Sequence, residues 1–117
     1  MVGYDNSTGA KATERNVAED ADVYGALTDK YLAIGCSCIS PNTERLRLLS
    51  QMVEEYQVDG VVDVILQACH TYAVESLSIK RHVRQQHDIP YMAIETDYST
   101  SDIGQLSTRV AAFIEML

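Results

Sequence analysis

The stretch Val58-Asp59-Gly60-Val61-Val62-Asp63-Val64-Ile65-Leu66-Gln67-Ala68-Cys69-His70 decides the fold. From 58 to 66, Val58, Val61, Val62, Val64, Ile65 and Leu66 make a mostly β-branched, nearly continuous apolar run. Branched side chains pack well on a pleated backbone. A run that does not alternate with polar residues suits a strand covered on both faces, as in a parallel sheet.

Working outward, residues 71–87 return to helical spacing, with Val74, Leu77 and Val83 expected inward and a basic outer face. Ile89-Pro90-Tyr91-Met92-Ala93-Ile94 reads as a second short strand, where Pro90 is tolerable only near the start. Ser99 or Ser101 opens a last helix, with Ile103, Leu106, Val110, Phe113 and Ile114 expected inward. Upstream, Asn42 or Thr43 caps a helix carrying Leu46, Leu49, Val53 and Tyr56 on one face, with Glu44 placed to suit the macrodipole. Gly35-Cys36-Ser37-Cys38-Ile39-Ser40-Pro41-Asn42 is a loop. Before it, residues 20–32 form a helix with Ala21, Tyr24, Leu27, Tyr31 and Leu32 at helical spacing, and Val2-Gly3-Tyr4 is a candidate front strand. Alternating helices and strands imply right-handed βαβ units. The expected fold is a single α/β domain over residues 1–117, a three-layer, flavodoxin-like or Rossmann-like parallel sheet. Two or three strands make that sheet thin, so it is expected to be incomplete at its N-terminus.

At 117 residues the chain is below the roughly 150 expected per domain. Seventeen acidic against nine basic residues give a net charge of −8, which disfavours nucleic acid and anionic membranes as partners. No apolar run approaches the roughly 20 residues of a membrane span, and the start lacks a basic-then-apolar signal. A soluble, cytoplasmic protein is expected. Three cysteines, an odd count without an export signal, argue against a disulfide framework.

In open parallel sheets, ligands bind beyond the carboxyl ends of the strands. Cys69-His70 and Glu95-Thr96-Asp97-Tyr98-Ser99 each follow a strand, and the 35–42 loop feeds a helix starting at the same edge. Cys36, Cys38 and Cys69 are thus candidates to converge on one rim. Thiolates there would suit zinc or an iron–sulfur cluster. The alternative is ordinary packing, since free cysteine is among the most buried residue types. His70 reads as ligand, proton carrier, cap or surface residue, while His82 and His87 lie on a polar, solvated face. Asp97 reads as a helix cap or a general acid or base. Asn6-Ser7-Thr8-Gly9 lacks the glycines and lysine of a phosphate loop. Arg109, four positions after Gln105, reads as an internal pair or an interface anchor. Lys80, Arg81 and Arg84 form a basic patch, read as a solvated helix face.

Three segments together carry a resemblance: KYLAIGCSCISPNTERLRLL, EEYQVDGVVDVILQACHTYAVES and IPYMAIETDYSTSDIGQLSTRVAAFIEML. They resemble the C-terminal domain of the 2-hydroxyacyl-CoA dehydratase family, that of the 2-hydroxyglutaryl-CoA dehydratase component D subunits, related to benzoyl-CoA reductase subunits. The resemblance implies heterodimeric, oxygen-sensitive enzymes of anaerobic amino-acid fermentation, each subunit with a cysteine-held [4Fe-4S] cluster. It further implies an ATP-dependent activator that injects one electron, and an acyl-CoA substrate that loses water syn through a ketyl radical. By position, Cys69 matches the cluster ligand, Cys36 and Cys38 lie in the family's cysteine-bearing loop, and Asp97-Tyr98-Ser99 matches a rim segment.

The family's subunits are several times longer, with an N-terminal domain supplying other cluster cysteines and much of the acyl-CoA pocket. Ser7 stands where many relatives carry cysteine. The leading expectation is therefore part of a dehydratase, a lyase inactive without the missing domain and partner subunit. The alternatives are a truncated, non-enzymatic scaffold whose exposed sheet edge drives self-association, and a small zinc or iron–sulfur carrier.

Overall fold

The computed structural model describes residues 2–6, 13, 15–19 and 22–117. The chain divides into two compact units, Met1–Tyr56 and Gln57–Leu117.

The first unit holds α1 (Val23–Leu32) and α2 (Thr43–Glu55). Asp22 caps α1 by accepting from the Gly25 amide at 2.8 Å, satisfying a donor that the first turn leaves over. Ala26 is the buried residue of this helix, whereas Tyr24, Tyr31 and Leu32 of the expected inner face are exposed. The apolar residues of α1 encircle it, so helical spacing alone selects no face. Ala21 and Ser7 lie outside the described residues. The front strand expected at 2–4 does not form: residues 2–5 are irregular, and Gly3 lies against the Met52 and Tyr56 side chains. On α2 the buried positions are Arg45, Leu48 and Val53. Arg45 Nε donates to Asp5 Oδ2 at 3.1 Å, so the buried guanidinium is paired.

The second unit runs β1 (Val61–Leu66), α3 (His70–Gln86), β2 (Tyr91–Thr96) and α4 (Ile103–Ile114). The strands are parallel, in register from Val61↔Tyr91 to Leu66↔Thr96. Pro90 sits just before β2, where its carbonyl accepts from the Val61 amide at 2.9 Å and no proline donor is needed. The α/β class is as expected, with two strands in the described sheet.

Helix α3 packs on both strands, and Ile65, Ile79, Val83, Tyr91, Ile94 and Phe113 are buried. The inner face of α3 is Ser76, Ile79 and Val83; the expected Val74 and Leu77 are exposed. On α4, Phe113 is buried while Ile103, Val110 and Ile114 are exposed. A Cβ on Gly60 would lie 2.8 Å from Phe113 Cζ, so this glycine lets the end of α4 close over the start of β1.

One expectation for β1 is corrected. Asp63 and Ile65 are buried on one face, but Val62, Val64 and Leu66 on the other are 44%, 63% and 43% exposed. Among the described residues, the strand is covered on one face only.

Candidate functional site

Because β1 and β2 are parallel and end in register at Leu66 and Thr96, the loops that follow them leave from the same edge. This carboxyl edge is where open α/β sheets bind ligands. After β1, Gln67 keeps pairing through its amide to Thr96 O at 2.8 Å, and Ala68 turns the chain with a positive φ of 64°. Cys69 then occupies the N-cap position of α3. It makes no side-chain cap bond; its Sγ lies 3.8 Å from Thr71 Oγ1, and the residue is half-buried. A thiol here faces the positive end of the helix dipole. His70 follows as the first helical residue and is exposed.

After β2, Asp97 is exposed and accepts from the Ser99 amide at 2.6 Å. Hydrogen bonds from the Ser99 side chain and then its backbone hold the Asp97 carboxyl below the usual carboxylate range. The N-cap position of α4 belongs to Asp102, not to Asp97 or a serine. Asp102 Oδ2 accepts from Thr96 Oγ1 at 3.1 Å, while its Oδ1 is buried without a partner among the described residues. Sequence reasoning missed this residue, because the serines before it satisfy the same cap preference.

Cys36 and Cys38 lie in the first unit, on the loop between α1 and α2, and Cys69 lies in the second. Cys38 Sγ donates to Cys36 Sγ at 3.4 Å. Among the described residues of either unit, no three His, Cys, Asp or Glu side chains gather as a metal site. A [4Fe-4S] cluster takes four cysteine thiolates, and this chain has three cysteines in all. Its own donors do not complete a cluster.

Arg109 does not pair along its helix but donates to the Ala93 carbonyl at 2.6 Å, binding the free edge of β2. His82 and His87 are half-buried, their rings edge to face at 6.0 Å, rather than fully solvated. Lys80 and Arg109 stand at an open groove of about 650 Å³ that Tyr91, Leu77 and Phe113 also line. It lies beside the amino-terminal half of β2, at the end of the sheet away from Cys69. Buried Asp63, which the apolar run concealed, accepts from the Tyr91 hydroxyl at 2.8 Å. No helix among the described residues is long and apolar enough to cross a membrane.

A parallel strand pair joined through a helix defines the class as an α/β module. The chain belongs to the 2-hydroxyglutaryl-CoA dehydratase D-component family, which it matches across residues 1–117. It is 85% identical, over its whole length, to 30% of the protein named "Putative dehydratase subunit YjiM" of Escherichia coli (strain K12). It is 29% identical over 76 residues to a benzoyl-CoA reductase subunit of Thauera aromatica, covering 65% of this chain and 17% of that protein. The chain thus spans less than a third of the length of either relative.

Proposed function

We propose that this chain is a segment of a 2-hydroxyacyl-CoA dehydratase subunit and that Cys69 is one thiolate ligand of a [4Fe-4S] cluster. The other ligands come from residues outside this chain, as do most of the acyl-CoA pocket, a second subunit and an ATP-dependent activator. The observation that carries the reading is the position of Cys69: half-buried, at the N-cap of a long helix, on the carboxyl edge of a parallel strand pair. A cysteine sulfur at that edge is the kind of ligand that iron–sulfur clusters take. The family match over all 117 residues supports the reaction class, loss of water from a 2-hydroxyacyl thioester. The bare face of Val62, Val64 and Leu66 supports a place within a larger assembly, where one more helical layer would complete a three-layer arrangement.

The test is a chimera in which this chain replaces its 85%-identical counterpart in the E. coli relative. It is purified anaerobically and reconstituted with iron and sulfide, with and without Cys69→Ser. We expect cluster iron in the parent chimera and its loss in Cys69→Ser. Iron that survives the substitution would overturn the ligand assignment. A parent chimera that takes up none would overturn the cluster. Dehydration of a panel of 2-hydroxyacyl-CoA thioesters, read by mass spectrometry, then tests the reaction class.

A further inference from the structure

Cys36 and Cys38 lie in the first unit and make a small chemical unit of their own. The Ile39 amide donates to Cys36 O at 2.9 Å, closing a turn that puts the two cysteines at its first and third positions. Asn42 Nδ2 holds the same carbonyl at 3.1 Å. Gly35 anchors the turn from the other side: a Cβ there would lie 2.8 Å from the Arg45 backbone nitrogen, so loop and helix are in backbone contact. On this fixed turn the sulfurs are 3.4 Å apart, already bonded through the Cys38 S–H. A disulfide is about 2.0 Å long, so a modest side-chain rotation completes the bond. Cys38 is exposed and Cys36 half-buried, which gives an outside reagent access to one sulfur first.

We propose that Cys36 and Cys38 form a reversible intramolecular disulfide, making this turn a redox-responsive element whose oxidant is a low-molecular-weight disulfide. The Cys38 thiolate attacks one sulfur of the oxidant and expels the other half as a thiolate. The Cys36 thiolate then attacks Cys38 Sγ, forming the Cys36–Cys38 bond and expelling the second half. The two protons lost by the cysteines go to the two departing thiolates. The cysteine pair is oxidised by two electrons and the oxidant is reduced to two thiols. Cys69 takes no part, so the proposal stands apart from the cluster reading.

The test incubates the reduced full chain with graded ratios of glutathione disulfide to glutathione, then alkylates the remaining thiols. Trypsin cleavage after Lys30 and Arg45 isolates both cysteines on residues 31–45, with Cys69 on another peptide. We expect the 31–45 peptide to lose both thiols together, two hydrogens lighter and without a glutathione adduct. Cys36→Ser should instead hold glutathione on Cys38. Independent adducts on both cysteines, cross-linking to Cys69 or between copies, or no adduct in Cys36→Ser would each overturn the proposal.

Discussion

The Tyr91 hydroxyl donates to Asp63 Oδ2 at 2.8 Å, joining the start of β2 to the middle of β1 inside the second unit. Ser76 Oγ lies 2.7 Å from the same hydroxyl, which brings α3 into the network. A buried carboxylate is costly without a partner. Tyr91→Phe removes the donor and keeps the ring, so it should destabilise the protein by about 1–3 kcal/mol. Asp63→Asn keeps an acceptor oxygen and should cost less. Urea denaturation of the two variants checks the order, and a negligible loss in Tyr91→Phe would show that the ring matters rather than the hydroxyl.

Two valines of the second unit should behave oppositely. Val83 is fully buried, and Val83→Ala should cost about 2 kcal/mol through lost apolar contact and an unfilled space. Val64 belongs to the same apolar alphabet but is 63% exposed. Val64→Thr should change the stability of this chain by no more than about 0.5 kcal/mol. Thermal melts decide it. A large loss at Val64 would mean that the bare face of β1 is covered in solution.

Element type and order were legible because composition carries them. The β-branched run around Val61 and the turn after Cys38 need no tertiary information, and both strands fall within a few residues of the bounds their apolar runs predict. Burial was less legible. The sequence separates apolar from polar but does not tell which apolar face of α3 meets the sheet, and the expected stripe ran through exposed Val74 instead of buried Ile79. Nor could it show Asp63 as a core residue, since that placement depends on a tyrosine 28 positions away. For the site, the strand-then-cysteine order was enough to put Cys69 at the carboxyl edge. The partners of Arg109 and Asp102 lie on β2 and were invisible to a helical reading of α4.

Alanine at two glycines should give opposite signs. At Gly35 the new methyl meets the backbone of Arg45 at 2.8–2.9 Å, and backbone cannot rotate aside. Gly35→Ala should cost about 1–3 kcal/mol. It should also weaken the coupled oxidation of Cys36 and Cys38, whose turn it displaces. Gly104 lies in α4, where a methyl group would meet nothing within 4 Å, so Gly104→Ala should stabilise by about 0.5 kcal/mol through helix propensity. Denaturation midpoints test both signs.

Asp97 gives the pH prediction. Its carboxyl is held below the usual range by the Ser99 side chain first and the Ser99 backbone second, with slight burial opposing. A carboxyl with a lower pKa folded than unfolded favours the folded state when ionised. Its contribution is therefore complete above about pH 4, the ordinary aspartate value, and is lost as pH falls through the lowered folded value. Below both values the group is protonated in either state and contributes nothing. Ser99→Ala removes the larger cause but keeps the amide that donates at 2.6 Å. Carbon-detected NMR titration should show the Asp97 midpoint rising toward the ordinary value in Ser99→Ala without reaching it. An unchanged midpoint would mean that the amide alone sets the shift, and a complete return would mean that the turn itself depends on the serine hydroxyl.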